Sequence, residues 1–389
     1  MAAPGDTGLE AGLNVSSNPL VELGSAGQSV WLDFIERKIL KNGAFRRMIE
    51  QDGLQGVTSN PAIFEKAIGE SDEYDAPLKA FFAGGDTDLK AAFEHLAIAD
   101  IQDAADQLAG VYARTNGRDG FASLEVSPYL ADDVEGTVRE GRRLWEAVGR
   151  PNLMIKVPGT PAGATAIREL VGEGINVNVT LLFSQAAYLA TAEAHNAGLE
   201  AFQAKGGDIA KVAGVASVFV SRIDAEIDKA IAARLSAGAG QDEGALKALR
   251  GQVAIANAKM AYQHYLAMVD SPRWRQLAKA GAAPQRLLWA STGTKSADYS
   301  DVLYVEALIG PETVNTMPPK TMDAFRDHGV VGRTLTDNVA HAAHVLAEVE
   351  RLGLDLEAVT AKLVLDGVQL FVAAADSLNR VLADKRARL

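Results

Sequence analysis

Lys156 stands inside Asn152-Leu-Met-Ile-Lys-Val-Pro158, a short apolar run bounded by Pro151 and Pro158. Such a run reads as a buried strand of an α/β protein. An ammonium there is costly to desolvate, and burial favours the neutral amine. A neutral amine on a rigid strand can add to a ketone carbonyl and, with loss of water, form a Schiff base. The structural alternative is a lysine at a strand end whose head reaches water or pairs with a carboxylate. Two more ionisable groups, Asp33 and Glu125, also fall within apolar runs. Carboxyl groups near a lysine supply the proton transfers that imine chemistry requires, and three such groups in apolar strands argue for chemistry over packing.

The elements that must position these groups follow from the spacing of apolar runs. In order they are Ser29–Phe34, Gly56–Ser59, Phe121–Ser127, Leu153–Val157, Val177–Phe183, Val215–Ser221, Leu287–Ser291 and Tyr304–Ile309. Each has the length and aliphatic or β-branched content of a buried parallel strand. Alternation with helical patterns makes a (β/α)8 barrel the leading topology, with a doubly wound open sheet as its competitor. The long segments 67–117 and 224–284 are expected to hold two or three helices and three helices respectively, the second broken at Ser236–Gly240. From Leu335 the pattern is helical. Val359, Leu363, Val368, Leu370, Phe371, Leu378 and Leu382 share one broad face of a closing helix expected to lie against the barrel.

In a barrel the C-terminal strand ends converge on the site. Read off those ends, the polar residues are Asp33, Thr58-Ser59-Asn60, Glu125, Lys156, then Asn176, Asn178 and Thr180. Ser217, Ser221 and Arg222 follow, then Ser291-Thr292-Gly293-Thr294-Lys295, with Glu306 expected on strand eight. A lone Ser or Thr in a strand usually reflects β-propensity, and a lone acid at a strand end usually caps a helix or pairs with a cation. The convergence, not any single member, carries the reading.

Composition bounds the partners. The 389 residues carry a net charge of −12 and a pI near 5.1, which argues against nucleic acid or an anionic membrane as partner. The absence of cysteine excludes disulfides, thiolate nucleophiles and Cys-based metal sites. Residues 1–28, rich in Gly, Ser, Ala and Asn, lack the basic and apolar regions of a secretory signal and are expected to form a flexible arm. Residues 29–389 are expected to form a single barrel domain that includes the helical tail. No run approaches the roughly 18 uninterrupted apolar residues of a membrane span, so a cytoplasmic location is expected. His341 and His344 are the one close histidine pair and read as helix-surface polarity, so no metal is expected. Gly159–Gly163 superficially resembles a phosphate loop but lacks the Gly-Lys-Ser/Thr ending.

Six collinear blocks carry a more specific likeness. Gly56-Val-Thr-Ser-Asn-Pro-Ala-Ile63 and Asn152-Leu-Met-Ile-Lys-Val-Pro-Gly-Thr160 resemble the two transaldolase signatures, the second containing the Schiff-base lysine. Gly174–Ser184 and Ser217-Val-Phe-Val-Ser-Arg222 are similar to two further blocks of that family. Trp289–Lys295 and Tyr304–Pro318 resemble its longer bacterial branch. The resemblance implies a cofactor-free enzyme of the pentose phosphate pathway, a monomer or homodimer acting on sugar phosphates. It would move a dihydroxyacetone unit from sedoheptulose 7-phosphate or fructose 6-phosphate to glyceraldehyde 3-phosphate or erythrose 4-phosphate.

Roles follow by residue. Lys156 attacks the ketone; Glu125, through a water held by Thr180, serves the dehydration; Asp33 deprotonates the C4 hydroxyl. Thr58, Asn60, Asn178 and Ser217 are expected to bind the hydroxyls of the three-carbon unit. Arg222, Ser291 and Lys295 are expected to hold the phosphate. Many family members carry an arginine shortly after the serine, where this chain has Thr292-Gly-Thr-Lys295. The alternative is a class I aldolase that releases free dihydroxyacetone. Short aldolase relatives resemble the Ser217–Arg222 segment but tend to carry Tyr where this chain has Phe219, and an apolar ring does not help protonate an enamine.

Overall fold

The computed structural model describes residues 18–389, so part of the expected arm (residues 1–17) lies outside the described residues. The rest of that arm is built into the fold. Pro19–Ser25 forms a helix capped by Asn18, whose Oδ1 accepts from the Leu20 N–H at 3.0 Å. Leu20 and Leu23 are buried beneath it, and Gln28 already belongs to the first strand.

Eight parallel strands close into a barrel in sequence order. They are β1 (Gln28–Leu32), β2 (Leu54–Thr58), β3 (Phe121–Glu125), β4 (Leu153–Pro158), β5 (Val177–Leu182), β6 (Gly214–Phe219), β7 (Arg286–Ala290) and β8 (Thr313–Met317). β8 pairs with β1, so the sheet has no edge. Helices cover the outside and side chains fill the inside; both strand faces are therefore dry, which is why these segments read as unbroken apolar runs.

The eighth strand corrects the sequence reading. Tyr304–Ile309 is not a strand: Leu303–Ala307 is a helix, and the barrel closes with Thr313–Met317 after the Gly310-Pro311 break. A short apolar run fits a buried helix as well as a strand, and periodicity does not separate them. The true strand reads Thr-Val-Asn-Thr-Met, too polar to stand out. Glu306 therefore does not reach the barrel mouth, and its carboxylate accepts from the Val330 N–H at 2.9 Å.

Between β6 and β7 run four helices, not three: Ser221–Ala237, Glu243–Leu249, Val253–Asp270 and Pro272–Lys279. The closing helix spans Leu356–Arg388 and packs along Pro61–Glu70, burying Leu363, Phe371, Leu378 and Leu382. Leu370, expected on that face, is instead exposed. By length and composition this helix is apolar enough to cross a membrane; here it lies across the barrel, with Lys385 paired to Asp75.

The N-terminal end of the barrel is closed by charge. Arg286 at the start of β7 donates to Asp119 Oδ1 at 2.9 Å, Ser29 Oγ at 2.8 Å and the Arg118 carbonyl at 2.7 Å. Asp119 also accepts from Ser29 Oγ at 2.8 Å and the Trp31 indole N–H at 3.1 Å. Both ions are buried, and each is surrounded by opposite charge and hydrogen bonds, as a dry ion pair must be to persist.

Candidate active site

Period-two alternation puts one residue in two of each strand into the barrel interior. The β3–β4–β5 register sets Glu125 beside Lys156, and Lys156 beside Asn178. Lys156 is almost fully buried, and its Nζ donates to Glu125 Oε2 at 3.1 Å and to the Ser59 carbonyl at 3.1 Å. The pairing that the sequence offered as the structural alternative is thus observed, and the partner is itself a candidate proton-transfer group. Burial holds the Glu125 carboxyl above its ordinary range, against the lowering pull of Lys156, and Asp33 pushes it in the same upward direction.

Asp33 follows β1 and receives a hydrogen bond from Thr58 Oγ1 at 2.8 Å. Thr58 Oγ1 lies 2.9 Å from Thr316 Oγ1 on β8. The Asp33 carboxyl is also pushed up, first by burial, while Lys156, Thr58 and Lys295 oppose the shift. Two carboxyls that resist ionisation beside an amine are suited to carry protons near neutral pH.

Asp33 and Lys156, with Thr58, Asn60, Thr180 and Ser217, form the polar lining of a cavity of about 170 Å³, and Glu125 stands behind Lys156. Phe219 and Phe371 form an apolar wall, and Arg222, Ser291 and Lys295 line the same space. Thr180 Oγ1 and Glu125 Oε1 are buried and meet no hydrogen-bond partner in the protein. Buried polar atoms are rarely left so, and an ordered water or a ligand hydroxyl is the usual partner.

The β5 strand reaches the cavity through an irregularity. Register with β6 shifts between Val179 and Leu182, and Leu181 adopts φ +59°. Ser291, at the end of β7, has φ +56°. Left-handed backbone at residues such as these costs about 1–3 kcal/mol each and tends to collect at functional sites.

Asn178 and Asn60 are used differently. Asn178 donates to Ser123 Oγ at 3.0 Å and accepts from Ser217 Oγ at 2.7 Å, so it braces the cavity floor while Ser217 lines the wall. Asn60 lines the cavity, but its Oδ1 caps the helix Pro61–Glu70 by accepting from the Ile63 N–H at 3.0 Å. Asn176 sits at the opposite end of β5, donating to the Pro151 and Leu153 carbonyls, and does not belong to the mouth.

The cations are the unusual members. Arg222, at the start of the helix Ser221–Ala237, makes no hydrogen bond or ion pair with any described residue, and its guanidinium lies 5.7 Å from the Phe219 ring centroid. Burial lowers its pKa. Lys295 likewise has no carboxylate within ion-pair distance; loss of water and then Arg222 lower its pKa. Ser291 Oγ lies 3.0 Å from Ser221 Oγ beside them. Two cations without an ion pair and a hydroxyl lining one cavity have the chemistry to hold an anion.

Thr316 and Phe371 were not anticipated as cavity residues. Thr316 was hidden because its strand was misplaced. Phe371 reads in sequence as one more apolar residue on a packing face. The Gly159–Gly163 turn serves packing: a Cβ at Gly163 would stand 1.9 Å from the Pro158 carbonyl oxygen, and Thr160 Oγ1 caps the helix there. Among the described residues no group of three His, Asp or Glu side chains converges as a metal site, and His341 and His344 are exposed.

Comparison with known proteins gives a concordant result. Residues 30–382 match the family described as Transaldolase/Fructose-6-phosphate aldolase. A Transaldolase of Trichodesmium erythraeum is 45% identical over 376 residues, covering 96% of this chain and 99% of that protein. One from Thiobacillus denitrificans is 48% identical over 352 residues, covering 90% and 96%; one from Thermobifida fusca is 46% identical over 362 residues, covering 93% and 96%.

Proposed function

The chain belongs to the Transaldolase/Fructose-6-phosphate aldolase family, and we propose that it is a transaldolase working through a Schiff base at Lys156. It takes a dihydroxyacetone unit from a ketose phosphate and delivers it to an aldose phosphate, without a cofactor. The observation that carries this reading is the buried Lys156, 3.1 Å from Glu125, lining a cavity that Arg222 and Lys295 also line without an ion pair to any described residue.

The steps follow from the residues. The Lys156 amine adds to the donor ketone carbon, forming a C–N bond and a carbinolamine. Loss of its hydroxyl as water needs a proton, which Glu125 delivers through a water bridging its free Oε1 to Thr180 Oγ1. Both of those atoms are buried and otherwise unsatisfied. The iminium then withdraws electrons from the C3–C4 bond. Asp33, aligned by Thr58, removes the proton of the C4 hydroxyl; the bond breaks, the aldose phosphate leaves, and an enamine remains on Lys156. An acceptor aldehyde reverses these steps, and hydrolysis of the new imine frees the product.

Arg222, Lys295 and Ser291 hold the phosphate of either sugar, which fixes the distance from phosphate to reacting carbon. Lysine binds phosphate as a point charge, so Lys295 needs no bidentate geometry to serve where relatives carry arginine. Asn60 and Ser217 bind hydroxyls of the three-carbon unit, with Asn178 orienting Ser217. Phe219 supports transfer over release because its ring, packed 5.3 Å from Phe183 by centroid, offers no proton to the enamine. A soluble, cytoplasmic enzyme of sugar-phosphate metabolism, monomeric or homodimeric, is the matching cellular reading.

A coupled assay tests it. With fructose 6-phosphate alone, glyceraldehyde 3-phosphate should appear in an amount stoichiometric with enzyme and then stop. Adding erythrose 4-phosphate should start continuous turnover. Continuous release of free dihydroxyacetone without an acceptor would identify the aldolase instead.

A further inference from the structure

We propose that Phe371, on the closing helix, is a positioning residue that keeps the enamine on Lys156 dry and so holds transfer ahead of release. The proposal rests on the Schiff-base reading given above.

Phe371 comes from a segment remote in sequence from every strand end, yet its ring lines the same cavity as Lys156, Thr180 and Arg222. It is buried, and Lys156 Nζ lies 5.6 Å from its ring centroid. The surroundings of the amine are thereby divided. Glu125 and the Ser59 carbonyl offer polar contact; the Phe371 ring offers neither a proton donor nor a site for a water.

The helix is built to reach this place. One turn before Phe371 comes Gly367, where a Cβ would stand 2.8 Å from Leu181 Cδ2. The missing side chain lets the helix settle on the irregular end of β5, and a Cβ there would have to push the Leu181 side chain or the helix aside. Farther along, Ser377 Oγ donates to Glu65 at 2.9 Å and Lys385 donates to the Ser71 carbonyl at 3.0 Å. Tyr129 also donates to Asp376 on the same helix. These ties hold the helix beyond Phe371 against its neighbours.

The chemistry gives the Phe371 ring a task. Release requires the enamine carbon to take a proton, after which water adds to the iminium carbon and the C–N bond breaks, returning the lysine amine and free dihydroxyacetone. Transfer forms a C–C bond at the same enamine carbon, and the acceptor's carbonyl oxygen takes the proton held by Asp33. Hydrolysis of the final imine is common to both routes and is served from the Glu125–Thr180 side. What separates them is access of a proton source to the enamine carbon. Phe371 and Phe219 together deny it, and replacing the Phe371 ring by a methyl group vacates room enough for water beside the amine.

The test is the ratio of free dihydroxyacetone released to sugar phosphate transferred, at fixed donor and acceptor concentrations. Phe371→Ala should raise that ratio by about tenfold or more, while Phe371→Leu, which keeps an apolar wall, should change it by no more than about threefold. Gly367→Ala, which crowds the helix against Leu181 with Phe371 unchanged, should raise it in the same direction and serves if Phe371→Ala fails to fold. Leu365→Gln, exposed on the same helix, should leave it unaltered. Borohydride trapping of the donor at Lys156 is run on every variant and on the unaltered enzyme. Trapping at Lys156 with an unchanged ratio in Phe371→Ala and Gly367→Ala overturns this proposal alone. Absence of trapping at Lys156 in the unaltered enzyme overturns the Schiff-base reading beneath it.

Discussion

The two ends of the barrel handle buried charge in opposite ways. At the N-terminal end, Arg286 and Asp119 are as dry as Lys156 and Glu125, but they bond to one another and to Ser29, Trp31 and the Arg118 carbonyl. At the C-terminal end, Arg222 and Lys295 make no ion pair with any described residue, Asp33 has one hydroxyl, and Glu125 and Thr180 keep a free buried oxygen each. Burial alone does not distinguish a structural charge from a functional one. For charges completeness does: the Arg286–Asp119 pair is bonded within the protein, whereas on our proposal an anionic, hydroxylated ligand completes the open end. The neutral His195, Gln28 and Gln285 near the closed end keep unpartnered buried atoms.

That contrast can be broken most severely at the closed end. Asp119→Ala leaves the Arg286 guanidinium buried without its counter-ion, a loss of about 3–5 kcal/mol. Chemical denaturation should show a fall of that size, with kcat of the remaining folded enzyme unchanged. A small stability loss accompanied by a collapse of kcat would place Asp119 in the chemistry and dissolve the contrast.

Arg222→Met is the matching change at the open end. No protein partner is orphaned, so the melting temperature should hold or rise. KM for a phosphorylated donor should increase by about a hundredfold, reflecting the loss of charge-assisted bonds worth about 1.5–3 kcal/mol each. An unphosphorylated ketose should be affected far less. Equal losses on both donors would remove Arg222 from the phosphate site.

The smallest effect sharpens the contrast by titration. His195 is buried near the start of β6, both ring nitrogens lack partners, and burial pushes its pKa down to about 4. The unfolded chain therefore binds a proton that the fold refuses, so stability present above about pH 6.5 is lost as pH falls toward 4, by up to about 3 kcal/mol. Asp224, pushed up to about 6 by burial, acts in the opposite sense between about pH 6 and 4, so the wild-type curve alone does not isolate the histidine. The difference between wild type and His195→Leu isolates the histidine: the variant should be relatively more stable at pH 4.5 than at pH 7.5. Parallel curves would contradict the assignment.

How much of this was legible in the sequence depended on chemistry at each position. The first seven strands were readable because aliphatic side chains fill both faces of a covered parallel sheet. The eighth was not, because Thr313, Asn315 and Thr316 bury polar side chains in the barrel wall, while the apolar helix at Leu303–Ala307 imitates a strand. Lys156, Glu125 and Asp33 stood out because a charge within an apolar run is conspicuous. Phe371 did not, since an aromatic on an apolar helix face looks the same whether it meets another helix or an amine. The pairing of the Asn178 amide with Ser123 and Ser217 was also hidden, because only geometry shows it.

The central claim is that the conspicuous lysine forms the covalent intermediate. Borohydride reduction of the enzyme with fructose 6-phosphate, followed by peptide mass mapping, tests it most directly. A stable three-carbon adduct should appear on Lys156 and vanish, with all transfer activity, in Lys156→Ala. An adduct on any other lysine, or full activity in Lys156→Ala, would contradict the account.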